Sequence, residues 1–355
     1  MKKIVTIVAA ALIASAAFAQ ISFGGFGRAI FAPIAGSGEG DAQAFIGTSW
    51  GGEPRVGFTV AGNSENIGFV FDIKGDAGTI AVNDNAYIWA KLGKMFQVKV
   101  GQSFDDTLRG NACFGAWDWL RPGIVMGEDL TFTRVCGNPT DGAYSPLTGV
   151  IVSFFPVEGL YITAGLPTSY ATVKAADVFK YGQYAAGYTI ANIAQIKAQW
   201  IGYAVGDDVK GVINAAVNLK AVENLTLEVG AFFGTKEKAD TAIAAYVAYS
   251  GIENLGLNLN AKYTISGDSD VKNTLGIGAA VSYAFGDNMS VVGDVRFQTK
   301  DDAQLAFLVG FQKGFSNGNV GIGFQAATNG CKIQNVTQNG KEITYAVPLT
   351  VTYVF

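Results

Sequence analysis

Beyond residue 20 the chain alternates. Segments of about ten residues place apolar side chains at every second position, with Gly, Asn and Asp gathered between them. In NLTLEVGAFF, Leu225, Leu227, Val229 and Ala231 share one face and Thr226 and Glu228 the other, because successive side chains of a strand point to opposite sides. In LGLNLNAKY, Leu255, Leu257, Leu259, Ala261 and Tyr263 oppose Asn258, Asn260 and Lys262. The pattern predicts an all-β, antiparallel protein with one apolar and one polar face. A soluble sandwich and a membrane barrel both satisfy such alternation.

The connections separate the two. GNSEN, GKM, PVEG, AN, AVEN, IEN, GDN and SNGN are tight, and they alternate with longer ones such as LPTSYATVKAADVFK, GTKEKAD, SGDSDVK and NGCKIQNVTQNGK. Short turns on one side and longer loops on the other are the signature of a transmembrane antiparallel β-barrel. VEGLYITAG, VENLTLEVG and IENLGLNLN repeat one unit, a turn followed by a strand, so the repeat is a hairpin repeat. Counting gives about eighteen strands, an even number that brings both termini to one side. Two segments leave the count open down to sixteen. AQAFIGTSW is either an extra strand or an outer extension of the second strand across a glycine bulge, and DAQLAFLVGF follows a very short loop.

Composition narrows the class. The chain has 355 residues, 49% of them hydrophobic and 46 of them glycine, and no linker or composition shift divides it. MKKIVTIVAAALIASAAFAQ has two lysines, an apolar run and Ala17-Phe18-Ala19, which predicts a signal peptide over 1–19 and a barrel over 20–355. After that point no apolar run approaches the ~20 residues of a membrane-spanning helix. The net charge is −4, and losing Lys2 and Lys3 lowers it by two, to −6; there is no basic patch, so nucleic acid is not expected as a partner. The chain has no histidine, the commonest metal ligand and general base. It contains no CxxC pair, no GxxxxGK, no GxSxG elbow and no EF-hand loop. The acidic clusters in GDNMSVVGD and SGDSDVKN suit turns for backbone reasons. No enzyme activity, cofactor or metal is expected.

Residues 54 to 104 carry a resemblance. Arg55-Val56-Gly57-Phe58, Ala86-Tyr87-Ile88-Trp89 and Phe96-Gln97-Val98-Lys99-Val100-Gly101-Gln102 are similar to the RLGF, AYVGL and FGTVKVGQ strands of the Gram-negative general porins. The ending AVPLTVTYVF, with Leu349, Val351, Tyr353 and Phe355 on one face, resembles the C-terminal assembly signal of bacterial outer-membrane barrels. The resemblance implies an outer-membrane location, a homotrimer, and a third external loop folded inward after Gln102. That loop would be the long connection at about 104–147.

With the apolar face toward lipid, the opposite face collects Arg28, Arg55, Lys74, Lys99, Lys197, Lys220, Lys262 and Arg296, against Asp72, Glu228 and Asp294. A dry interior could not tolerate so many charges without close pairing, so a wet lumen is expected. The long connection adds Asp105, Asp106, Asp118, Glu128, Asp129 and Asp141 against Arg109, Arg121 and Arg134. Opposed charge across a narrow passage would sort ions and orient dipolar solutes. Trp117 and Trp119 suit either an anchor against the inner wall or a stacking platform for sugar rings. Cys113 and Cys136 lie close enough in sequence for a disulfide that would add about 3 kcal/mol, leaving Cys331 over. The leading expectation is a porin through which small hydrophilic solutes and ions diffuse passively across the lipid of the outer membrane. A sugar-selective porin and a non-channel surface barrel or adhesin are the alternatives.

Overall fold

A computed structural model of the chain describes residues 20–47, 54–76, 79–110, 119–120, 147–168, 178–205, 208–300, 302–331, 333, 336, 340 and 342–355. The sheet opens with β1 (Gln20–Ser37), β2 (Gln43–Gly47), β3 (Arg55–Asn63), β4 (Ile67–Asp76), β5 (Thr79–Leu92) and β6 (Phe96–Ser103). It continues through β7 (Leu147–Phe154), β8 (Leu160–Pro167), β9 (Gln183–Ile190), β10 (Ala194–Val205), β11 (Asp208–Leu219), β12 (Leu225–Gly234) and β13 (Thr241–Ile252). The last six segments are β14 (Leu255–Ile265), β15 (Thr274–Phe285), β16 (Met289–Gln298), β17 (Gln304–Phe315), β18 (Gly318–Ala327) and β19 (Thr344–Val354).

Every neighbouring pair is antiparallel, and β1 pairs with β19, which closes the sheet. The 19 segments make 18 strands, because β1 pairs with both β2 and β3 along its other edge. Gln20–Arg28 run against Asn63–Arg55, and Ile30–Ala35 against Gly47–Gln43. Gln43–Gly47, the described part of the AQAFIGTSW strand, is therefore the outer extension of the second strand. β1 shifts register between Phe31 and Ile34, across Pro33, whose missing N–H cannot join a ladder.

At the end that holds Gln20 and Phe355, all eight connections have two to five residues. The repeated turn has a backbone cause: Gly159, Asn224 and Asn254 occupy the same place in VEGL, VENL and IENL, with φ of 83°, 59° and 62°. Gly and Asn tolerate that left-handed conformation, which other side chains resist. The far end departs from the expected alternation of lengths. Only two residues separate β4 from β5 and β10 from β11, whereas 43 separate β6 from β7 and 16 separate β18 from β19. The signal-peptide reading falls on residues 1–19, outside the described residues.

Outward positions are apolar and exposed, including Val229, Leu259, Ile277, Val295, Val309 and Ile322. Near the short turns this belt ends in aromatic pairs. Phe96 lies 4.6 Å from Phe154, Phe285 lies 5.9 Å from Phe311, and Tyr353 lies 6.0 Å from Phe355. Such girdles mark the level where a bilayer's hydrocarbon meets water. Phe355 is held by two backbone bonds to Gly25, each 3.0 Å, and a Cβ on Gly25 would come within 2.5 Å of its ring.

Candidate functional site

The inner face gathers small and polar side chains, and the chain leaves β6 across it. Asp105, 3% exposed, accepts hydrogen bonds from the Tyr161 hydroxyl and from Thr163 Oγ1 at 2.8 Å, both on β8, and from the Thr107 amide at 3.1 Å. Tyr161 also shares a 2.9 Å bond with Ser153 on β7. Three residues on, Leu108 packs against Tyr161 and Ala185, and a Cβ on Gly187 would lie 2.4 Å from it. The Arg109 carbonyl accepts from Lys197 Nζ on β10 at 3.4 Å. The beginning of the long connection is thus fastened to the inner wall from β8 to β10, and Asp105 acts as a tether.

Trp119 and Leu120 lie on a different sector of wall. The Leu120 amide donates to Gln325 Oε1 at 3.1 Å and its carbonyl accepts from Gln325 Nε2 at 2.6 Å, so one side chain on β18 pairs both polar groups of that peptide segment. Trp119 is 1% exposed, and its ring fills a notch left by Gly310, Gly321 and Gly323 on β17 and β18. Cβ atoms at those glycines would lie 2.6, 3.0 and 2.7 Å from the indole. A buried indole offers no face to a solute. Gly323→Val is expected to dislodge Trp119, and limited trypsin digestion of the folded protein should then cut within 110–140 faster than in the parent; equal rates would mean that the notch does not hold the loop.

The eight wall cations divide into groups. Lys197 is buried with Glu228, Nζ to Oε2 3.1 Å, and Glu228 also accepts from Asn218 Nδ2 at 3.0 Å. Arg296 forks onto Asp294 at 3.0 and 2.9 Å, and both side chains are nearly buried. Asp72 accepts from Asn85 at 2.6 Å. Arg28 and Arg55 are directly opposed in the β1–β3 register, and Lys74 lies two residues from Asp72 on β4. Lys99, at the root of the long connection, donates to the Phe104 carbonyl at 3.2 Å and lies 5.5 Å from the Tyr87 ring centre. Lys262 stands 5.7 Å from the Phe232 ring. Lys220 departs from the expectation: it follows the end of β11 and sits exposed on the short-turn rim rather than on the wall.

Asp106 and Arg109 lie beside the Asp105 tether, with the Arg109 amide bonded to the Asp106 carbonyl at 3.0 Å. Trp117, Asp118, Arg121, Cys113 and Cys136 lie outside the described residues, as do Glu128, Asp129, Arg134 and Asp141. Cys331 is buried, at 2% exposure. Gln325 and the three notch glycines were missed in the sequence reading. Their signal was present, since Gly310, Gly321, Gly323 and Gln325 all fall on inward positions, but the partner that needs them is some 200 residues away.

Neither a protein-family model nor a curated protein sequence matches the chain. Solved structures do. A mutant of the porin of Rhodopseudomonas blastica aligns with a TM-score of 0.54 at 15% identity, over 95% of this chain and 100% of that one. An anion-selective porin from Comamonas acidovorans gives 0.54 at 12% identity, over the same shares. At these identities the likeness is one of fold: the chain is a closed, porin-like β-barrel.

Proposed function

We propose that the protein is an outer-membrane porin, a water-filled channel for passive diffusion of small hydrophilic solutes and ions, narrowed by the long connection between β6 and β7. The observation that carries the reading is the pair of attachments inside the barrel. The connection is tethered near β8–β10 through Asp105, Leu108 and Arg109, and meets β17 and β18 through Trp119 and Leu120. A segment fixed to two separate sectors of an inner wall reduces the space between them. The apolar outer belt and its aromatic edge suit a lipid surround, and charged side chains on the inner face suit a wet interior.

The experiment is single-channel recording of the refolded protein in a planar bilayer. Discrete conductance steps support the reading, while folded protein that gives none would sink it in favour of a closed surface barrel. Block of the current by maltodextrins would favour a sugar-selective pore, against which the burial of Trp119 argues.

The wall charges predict a further result. Lys197 and Arg296 are matched by Glu228 and Asp294, and Arg55 and Lys99 are part-exposed on neighbouring sectors of the inner face. Arg55→Glu with Lys99→Glu should move the reversal potential in a salt gradient toward cation preference. An unmoved potential would mean that ions do not pass this wall.

A further inference from the structure

The connection between β18 and β19 carries buried side chains among its described residues. After Ala327 the chain meets two successive left-handed residues, Asn329 at φ 52° and Gly330 at φ 79°. The bend they make is fixed from both sides. Asn329 Nδ2 donates to the Ala303 carbonyl at 2.5 Å, Gln304 Nε2 donates to the Asn329 carbonyl at 3.0 Å, and the Cys331 amide closes the turn onto Thr328 at 3.0 Å. A second turn follows, from the Val336 amide to the Ile333 carbonyl at 3.0 Å.

Between these turns the loop presents apolar side chains that water does not reach. Cys331, Ile333 and Val336 are 2%, 1% and 7% exposed. They form one cluster with Leu120 of the long connection, with Ala244 across the lumen on β13, and with six residues of the nearer wall, Ile30, Ala32, Ala35, Ala306, Ala327 and Ala346. Those six are inward positions of β1, β17, β18 and β19, and five of them are alanine, so this sector of wall is cut back to receive a filling. The neighbouring positions Phe31 and Ile34 point outward and are exposed, which fixes the face.

The opposite condition holds on the inner face of β3–β6. Arg55, Lys74, Tyr87 and Lys99 all remain part-exposed there.

We propose that the β18–β19 connection is a second inward loop. Cys331, Ile333 and Val336 close with Leu120 on the alanine-lined wall of β1 and β17–β19, and this filling confines solutes to the cationic wall of β3–β6. The confinement rests on the barrel being a pore, whereas the inward packing does not. The long connection then has a second support besides Gln325, because Leu120 is covered by the other loop.

The two parts are tested separately on the full-length refolded protein. A charged maleimide is applied, and its attachment at Cys331 is followed by peptide mass spectrometry, which reads it apart from Cys113 and Cys136. In the parent protein Cys331 should react at least about tenfold more slowly than in the urea-unfolded chain, as a core thiol does. Reaction at the unfolded rate would overturn the inward loop. In Ile333→Asp with Val336→Asp, folding is verified by heat-modifiable electrophoretic mobility. There Cys331 should become reactive and single-channel conductance should rise. Reactive Cys331 with unchanged conductance would overturn the confinement. Should the double variant not fold, Val336→Ser gives the same two readouts. If the folded parent carries no current at all, the pore reading and the confinement fall together, and the labelling still decides where the loop lies.

Discussion

Glu228→Ala is expected to cost the barrel about 3–5 kcal/mol, because it leaves a buried ammonium without its counter-charge. Lys197 and Glu228 have side-chain exposures of 0% and 1%. Their separation of 3.1 Å, the Asn218 donor and the Arg109 acceptor satisfy the pair from several directions. Lys197→Met alone should be comparably damaging, since it strands the carboxylate. The double variant Lys197→Met with Glu228→Leu should recover most of the loss, as the desolvation cost of both charges disappears with them. Urea unfolding in lipid, read by electrophoretic mobility, measures all four corners of the cycle. A single-variant loss below about 1 kcal/mol would put the pair among solvated surface bridges. The pair also bears on the long connection: Lys197 holds the Arg109 carbonyl, so its removal should loosen the first turn of that segment.

Removal of residues 110–140 should raise single-channel conductance by about twofold or more, because pore width sets how many ions pass at once. The deletion keeps the Asp105 tether and Leu108 but removes Trp119 and Leu120 from their wall. It also bares the glycine notch and the Gln325 amide, which water can fill. Unchanged conductance would show that the connection does not limit flow. The deletion and the Val336 substitution touch one cluster through Leu120, so their effects should not add.

Alternation along the chain was enough to expose the strands and their two faces, because a strand assigns each residue to a face from its own neighbours alone, and the tight turns between them told a barrel from a sandwich. The same logic explains why the VEGL, VENL and IENL turns were visible before their φ angles were. Facing, however, says nothing of which partner a side chain meets. Lys197 and Glu228 both read as wall charges, and only the registers of β10, β11 and β12 bring them together through Ala216 and Gly230. Leu120 and Gln325 are 205 residues apart, and no local pattern links a loop leucine to a strand glutamine. Lys220 had the right parity for the wall but falls one residue past its strand. The inward turn at Asn329-Gly330 looked like any Asn-Gly loop signal, since such a dipeptide gives the bend and not its direction.

The seam between β1 and β19 sets this barrel apart from a chain of hairpins. Each other neighbouring pair joins strands consecutive in sequence or the two halves of one wall position, whereas Phe26 meets Val354 and Gly27 meets Tyr353. Hairpins can form locally and early, but this one pairing carries a loop-closure cost spanning nearly the whole described chain. Until it forms, the sheet is an open ribbon with two unpaired edges, each a template for a second copy. The rate of closing that seam, more than the stability of any strand pair, should govern whether the refolding protein becomes a barrel or an aggregate.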